Sequence, residues 1–515
     1  MFKVSGKVNM KNRIRILATS DIHGMIYPYR YADGLSADHG TAKLKSAIDL
    51  LRDENTVLVD NGDVLQGSSL QFYHYLNNPQ EVSPITVSLN AMHYDYVNLG
   101  NHDFDFGEDA VMTHINALNC PCITANIMHR GKPLCVSYAV REVAGKKIAL
   151  FGVVTHYVKK WQHKKDIRHF HFKDAFQTAS KTVELIRRLE KPDYVIGLYH
   201  GGFERDINTG IAVDELTGEN QAYMILKEVP GLDVLIAGHT HNSLCGKKFD
   251  TVYAQPGKNG EEIACVDIYT DTREISARIL KVDTEPDEAM LELTKQSEQQ
   301  CQEWLDTPLA TTSMNLRIED QLQARLYKSQ VVTLINRIML ESSGADLASS
   351  PLFTDAAGFR SEITMRDLVN TYTFPNTLVV KQISGRILRA YLEKCAEYWT
   401  IDQGQITVSP SFLVPKKKPY NYDMVDGIEY TIRVSNDIGH RVIALTKDGS
   451  EIDDDMELTI CISSYRASGG GDFTMLRDTP TVREIRTGMV ELIARWLAEH
   501  KTIEFEPVNN ITVIR

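Results

Sequence analysis

Between residues 13 and 245 the chain alternates short, continuously apolar and largely β-branched runs with polar turns and amphipathic segments. The apolar runs fall at 14–18, 56–59, 96–99, 148–154, 194–198 and 234–237, and apolar residues recur at helical spacing over 41–52 and 173–190. Strands that are apolar throughout are buried on both faces, so this alternation predicts a mostly buried sheet with helices on its faces. Residues 246–283 alternate with period two and are expected to add closing strands. Residues 285–306 are rich in Glu, Gln and Lys with apolar residues at helical spacing, which predicts an exposed helix, and a looser stretch follows at 307–317. Beyond it the pattern predicts helices at 321–342, 385–397 and 482–500 and strands at 378–383, 429–434 and 458–463. The expected organisation is an α/β domain over 13–285, a helical connector over 286–320 and an α+β domain over 321–515.

Composition narrows the partners. The 515 residues include 56 Lys and Arg against 68 Asp and Glu, a formal charge of −12. That balance lacks the basic footprint of a protein that binds nucleic-acid polymers without sequence preference. Apolar residues make up 43% and charged residues 24%, a globular composition. No apolar run approaches the ~18 residues that a membrane span needs, and the opening MFKVSGKVNMKNRIRILATSD has neither the order nor the apolar core of an export signal. The eight cysteines are scattered, several of them in apolar strand-like runs. These features lead us to expect a cytoplasmic protein with free thiols and no membrane, nucleic-acid or protein partner.

The chemistry-bearing residues follow the apolar runs. Asp21-Ile-His23-Gly24 comes after the first, Asp60-Asn-Gly62-Asp63 after the second and Gly100-Asn101-His102-Asp103 after the third. Later come Tyr199-His200-Gly201-Gly202 and Gly238-His239-Thr-His241-Asn242. In open α/β sheets ligands gather at the carboxyl ends of strands. One such turn is ordinarily a helix cap or a polar pair. Five together, each offering carboxylate, imidazole or amide groups beside glycines, suit borderline divalent cations such as Mn²⁺, Fe²⁺ or Zn²⁺. His163, His169 and His171 cluster near Lys164 and Lys165, which hints at a basic loop near the cleft.

In that order, Asp-x-His, Gly-Asp, Gly-Asn-His-Asp, His-Gly-Gly and Gly-His-Thr-His resemble the calcineurin-type metallophosphoesterases. The resemblance extends over the second half to the 5′-nucleotidase and 2′,3′-cyclic-nucleotide phosphodiesterase family. It implies a four-layer α/β/β/α metallophosphoesterase domain followed by an α+β nucleotide-binding domain. It also implies two divalent metal ions, Mn²⁺ or Zn²⁺ first, with Fe²⁺ or Co²⁺ as further candidates. Asp21, His23, Asp63 and His241 would hold one ion, and Asp63 would bridge to a second completed by Asn101, His200 and His239. A bridging carboxylate holds two cations ~3.5–4 Å apart, where they activate water and clamp phosphate oxygens. His102 would stabilise developing charge or protonate the leaving oxygen, with Asp103 fixing its tautomer; the bland alternative is a histidine that merely orients Asn101.

The substrate is read from the second half. Phe374-Pro-Asn376-Thr-Leu precedes one expected strand, and Ser-Tyr465-Arg-Ala-Ser-Gly-Gly-Gly-Asp472 follows another. The resemblance implies that Phe374 and Tyr465 clamp the base, Asn376 contacts it and Asp472 contacts the ribose. Core packing is the competing reading for Phe374, whereas Tyr465 leads into three glycines and is expected on an exposed loop. Relatives acting on 5′-nucleotides carry a Gly-Gly-hydrophobic-Arg motif; here Ala357-Gly358-Phe359-Arg360 keeps the arginine and lacks the glycine pair. The expected activity is therefore opening of 2′,3′-cyclic nucleotides and dephosphorylation of 3′-nucleotides by hydroxide generated at the metal pair. The alternatives are a 5′-nucleotidase, a broad phosphoesterase or nucleotide-sugar hydrolase, and a noncatalytic nucleotide-binding protein, which would be expected to have lost a metal ligand.

Overall fold

The computed structural model describes residues 12–515 except 163–164, 214–215, 375 and 415–416. His163, Lys164 and Pro375 lie outside the described residues. The rest falls into two compact units, one running to Arg30 and over Gly34–Cys301, the other formed by Tyr31–Asp33 and Gln302–Arg515. The division falls inside the helix Glu288–Leu305.

The first unit is built on two sheets. One orders its strands Ile275–Lys281, Glu262–Tyr269, Arg13–Thr19, Thr56–Asp60 and Tyr96–Val97, and the last three run parallel. The other orders Leu244–Lys248, Thr251–Gln255, Val234–Ala237, Tyr194–His200, Lys146–Val154 and Tyr138–Val143, with the central four parallel. The sheets pack face to face: Ile14, Ile16, Val57 and Val59 of the first meet Ile148, Leu150, Ile196, Leu198 and Ile236 of the second in one fully buried cluster. The alternate residues of the second sheet, among them Phe151, Val153 and Val195, bury against Ala175, Ala179, Val183 and Ile186 of the helix Ala175–Leu189. Both faces of these strands are thus covered, which is why their sequences are apolar without alternation. With helices outside each sheet, the layers are α/β/β/α, as the resemblance implies.

Register levels the strand ends that carry the motifs. Thr19 pairs with Asp60 and Asp60 with Val97 in the first sheet. In the second, Val154 pairs with His200 and Ala237 with Tyr199.

The second unit centres on a five-stranded sheet in the order Asp423–Asp426, Leu347–Pro351, Glu457–Ser463, Leu378–Ser384, Thr481–Ile485, with helices Gln330–Ser343 and Gly385–Ala396. Two expected elements come apart here. The helix expected over 321–342 is two, Gln321–Leu326 and Gln330–Ser343, because Lys328 adopts a left-handed backbone (φ 52°) that turns its ammonium to Asp426, 2.5 Å away and buried. The segment 482–500 begins as the strand Thr481–Ile485, and its helix Met489–His500 starts only after Gly488.

Candidate metal centre

Six of the seven proposed ligands converge in two groups at the carboxyl ends of the strands: Asp21, His23 and His241 in one, Asp63, His200 and His239 in the other. Five of them hold left-handed backbone, with φ of 55° at Asp21, 52° at His23, 60° at Asp63, 70° at His239 and 58° at His241. Such a conformation is strained for residues with a Cβ and persists only where surrounding structure over-determines it. The surroundings do so through backbone bonds between the loops: Asp21 N–H donates to Gly62 O and His23 N–H to Asp63 O, each at 2.9 Å. Two glycines permit that closeness. A Cβ on Gly62 would stand 2.2 Å from Gly100 N, and one on Gly100 would stand 2.1 Å from Asp63 Oδ1.

The ring orientations are set by backbone carbonyls, which only accept. His23 donates from Nδ1 to Gln66 O at 2.9 Å, and His200 donates from Nδ1 to Asn61 O at 2.7 Å. In the neutral rings this leaves Nε2 as a lone pair aimed into the centre, the arrangement seen around metal-bound imidazoles. His23 Nε2 lies 3.0 Å from His241 Nε2, which in turn is 3.4 Å from Asp21 Oδ1. His200 Nε2 lies 3.1 Å from Asp63 Oδ2, yet neither atom meets hydrogen-bond alignment. Those two atoms and Asn101 Oδ1 are buried without a hydrogen-bond partner. Buried polar atoms are otherwise almost always paired, so converging lone pairs of this kind fit cations well. Charge says the same. Burial alone would discharge His200, but the Asp63 and Asp21 carboxylates outweigh it and push the ring up to about 10, so that without a metal a proton stands in for the cation. Burial also works against the Asp63 carboxylate, and His200 and His102 more than offset it, holding Asp63 well below the usual carboxylate range.

His239 Nε2 meets Glu219 Oε1 at 2.9 Å, and the Trp161 ring stacks on the imidazole at 5.5 Å between centroids. Neither neighbour was legible in the sequence, since Glu219 lies in a loop and Trp161 ends the four-residue helix Val158–Trp161, too short to show a period. Asn101 precedes the 3₁₀ turn His102–Phe104, and His102 N–H donates to Asp63 Oδ1 at 2.7 Å.

His102 stands beside this centre, its ring 5.6 Å from that of His23. Its expected partner is corrected: Nδ1 binds Asp105 Oδ2 at 2.8 Å, and not Asp103. On a helical turn the residue three positions on shares a face with the first, whereas the next residue points elsewhere. Asp103 is fully buried and accepts the backbone N–H groups of Asp63, Val64, Leu65 and Gly100 at 2.7–3.0 Å. Burial and the nearby Asp63 raise its carboxyl to about 6, against the N–H groups of Gly100, Leu65 and Val64. Asp103 holds the ligand loop in shape, and the i, i+3 spacing was the available signal for Asp105.

In the second unit the segments proposed for the base lie together. Leu378 pairs with Ser463, and Ser464 N–H donates to Thr377 O at 2.8 Å, so Phe374, Asn376 and Tyr465 lie at the same end of one strand pair. Phe374 is half-buried with its ring 5.1 Å from that of Phe353, and Asn376 N–H donates to Phe374 O at 2.8 Å. Tyr465 sits in the helical turn Ser464–Ala467 rather than an open loop, half-buried, with its ring against Gly470, where a Cβ would come within 2.6 Å of it. Asp472 is exposed in left-handed backbone (φ 67°). The turn is anchored by buried Arg466, whose guanidinium grips both oxygens of Asp423 at 2.7 and 2.8 Å. Arg360 is engaged in the same bidentate manner with Asp367, at 2.7 and 3.2 Å.

The calcineurin-like phosphoesterase family model matches residues 14–243, and the model of the 5′-nucleotidase C-terminal domain matches 309–478. The chain is 26% identical over 538 aligned residues to the 2′,3′-cyclic-nucleotide 2′-phosphodiesterase/3′-nucleotidase of Salmonella typhimurium, covering 89% of this chain and 81% of that one. It is 24% identical to the 5′-nucleotidase of Vibrio vulnificus over 96% of its own length and 91% of the relative's. A crystal structure from Staphylococcus aureus, assigned as a 5′-nucleotidase and bound to alpha-ketoglutarate, superposes with a TM-score of 0.92 at 30% identity, covering 98% and 100% of the two chains. With two clusters of side chains able to hold a cation at the strand ends and both domain models matched in order, this chain belongs to the two-domain 5′-nucleotidase family of calcineurin-like metallophosphoesterases and is a phosphoric ester hydrolase.

Proposed function

We propose that the protein opens 2′,3′-cyclic nucleotides and then removes the 3′-phosphate, acting in the cytoplasm on small nucleotides. The hydrolytic reading is carried by the two buried ligand groups and by Asp63 Oδ2, His200 Nε2 and Asn101 Oδ1, buried atoms that no hydrogen bond satisfies. Asp21, His23 and His241 would hold one divalent ion and Asn101, His200 and His239 the other, with Asp63 shared; the mixed N/O donors suit Mn²⁺ or Zn²⁺, with Fe²⁺ or Co²⁺ next. When bound, such a pair supplies an activated water and neutralises the phosphoryl oxygens. His102 Nε2 would deliver a proton to the departing sugar oxygen, the ring held in place by Asp105 at Nδ1. Phe374 and Tyr465 would bracket the base, with Asn376 on its edge and Asp472 on the ribose.

The cyclic and 3′ preference is supported by the Phe374-Pro-Asn376-Thr-Leu and Ser-Tyr465-Arg-Ala-Ser-Gly-Gly-Gly segments and by the similarity to the Salmonella enzyme. Arg360, the counterpart of an arginine expected on a 5′-phosphate, is already engaged by Asp367. The competing 5′-nucleotidase reading draws on the Vibrio relative. Protein loaded with Mn²⁺ is to be assayed on 3′-AMP, 5′-AMP and 2′,3′-cyclic AMP. Turnover of the 3′ and cyclic compounds with slow 5′-AMP is the expected result. Fast 5′-AMP turnover would move the chain to the 5′ branch, and no turnover of any of the three would end the nucleotide reading.

A further inference from the structure

A third group of metal-ligating side chains lies in the first unit outside the centre described above: Glu108, His129 and His169. We propose that these three residues bind a further divalent transition-metal ion, Zn²⁺ by its chemistry, through two imidazole nitrogens and one carboxylate. The fourth position would be left to water, a donor set that zinc accepts in proteins.

The ligands come from three separately anchored pieces. Glu108 sits in the first turn of the helix Gly107–Ala117. His129 ends the strand Ile127–His129, and His169 immediately precedes the strand Phe170–Phe172, which pairs with it. Under them Phe104, Phe170, Phe172 and Ile127 form one buried cluster, and the His129 ring packs on Phe170 at 5.0 Å. The pieces are therefore held before any ion arrives, which lowers the ordering cost of binding.

The distances are close to what an ion would require. His129 Nε2 lies 2.8 Å from Glu108 Oε1 and His169 Nδ1 lies 2.5 Å from Oε2, and one ligand atom from each residue falls within 4.8 Å of the others. Metal–ligand bonds of ~2.0–2.2 Å in a tetrahedron place ligand atoms roughly 3.3 Å apart, so the carboxylate must withdraw by roughly 0.5–0.8 Å. A carboxylate only accepts, so in the metal-free arrangement both rings aim an N–H at Glu108. For the ion to bind, the single proton of each neutral ring passes through solvent from the nitrogen that faces Glu108 to the other nitrogen, which frees the facing lone pair for the metal. The ion also has a competitor. Arg130 donates to Glu108 Oε1 at 2.8 and 3.2 Å and comes within 3.3 Å of His169 Nδ1. Its side chain is 63% exposed and free to swing into solvent as the ion enters.

The position gives the ion a use. Glu108 lies three residues beyond Asp105, which holds His102. A zinc clip here would pin the start of the helix and steady the turn that carries the proposed proton donor.

The test is to strip the full-length protein of metal, titrate Zn²⁺ against a chromophoric chelator and count bound ions by elemental analysis after desalting. Three ions per chain are expected for the wild type and two for His169→Ala, with circular dichroism to show that the variant is folded. Arg130→Ala, which leaves all ligands in place, is expected to tighten the third site by about two- to fivefold, the range for losing one exposed ion-pair partner. Asp63→Asn is expected to lose ions from the main centre and keep the one at Glu108. If only one ion binds and His169→Ala removes it, the main centre is misread and this proposal stands. Equal counts in the wild type and His169→Ala, or no response to Arg130→Ala, would overturn it.

Discussion

Replacing Asp105 with Asn separates a proton-donor role for His102 from a purely structural one. Asp105 is almost fully buried and uses both oxygens: Oδ2 accepts from His102 Nδ1 at 2.8 Å, and Oδ1 accepts from the Gln162 amide. Asparagine keeps one oxygen and turns the other into a donor. Either its NH₂ faces the Gln162 NH₂, or it faces Nδ1 and reverses the histidine tautomer. In both arrangements the imidazolium loses its charged partner. A charge-assisted hydrogen bond contributes ~1.5–3 kcal/mol, which at 1.36 kcal/mol per decade is a fall of roughly 10- to 150-fold in kcat. The loss should depend on the leaving group. A sugar alkoxide departs only with a proton, whereas p-nitrophenolate departs without one. We expect kcat/KM for 3′-AMP to drop by that factor, and for p-nitrophenyl phosphate by no more than about threefold. The assay is steady-state kinetics on both substrates with metal content checked in each preparation. Equal losses on both would refute the reasoning, since Asp105 would then be acting through the shape of the ligand loop.

Gly100→Ala drives a methyl group against Asp63 Oδ1 and N, 2.1 and 2.4 Å from an ideal Cβ. It should weaken metal affinity by about 10- to 100-fold, read by chelator competition, and unchanged affinity would show that Asp63 is not a ligand. Tyr465→Ala should raise KM for 3′-AMP by roughly 5- to 150-fold, from a stacking contribution of ~1–3 kcal/mol per base. KM for base-less glycerol 2-phosphate should stay unchanged, and parallel losses on both would point to collapse of the turn against Gly470. Asp60 lies beneath the centre; burial raises its carboxyl to about 8, against hydrogen bonds from Thr19 and Gly62. The folded chain then keeps a proton that the unfolded chain loses near the ordinary carboxylate value of ~3.9. Metal-free stability should therefore fall as pH rises from about 4 to about 8. In Asp60→Asn that decline should flatten, as followed by Tm of chelator-treated protein from pH 5 to 8, and parallel curves would contradict the assignment.

The sequence by itself determined the buried strands and the chemistry at their ends. A strand covered on both faces has to be apolar throughout, as at Ile14–Ala18 and Ile148–Val154, and the polar groups collected just beyond such strands have few structural duties that would require Asp, His and Asn together. The buried sheet with helices on its faces and the polar motifs at its strand ends were legible for that reason, whereas the four-layer arrangement and the assignment of ligands came from the family resemblance. Tertiary structure alone decided what depends on direction. Which carboxylate serves His102 turns on the pitch of one 3₁₀ turn, which aims Asp105 at the ring and sends Asp103 down among four backbone N–H groups. That Lys328 breaks a helix to reach Asp426 depends on a partner almost a hundred residues away. The left-handed backbone at Asp21, His23, Asp63, His239 and His241 has no local cause at all. Local preference disfavours that conformation in every one of these residues, and only neighbouring loops, hydrogen-bonded to each other and brought close by Gly62 and Gly100, hold it.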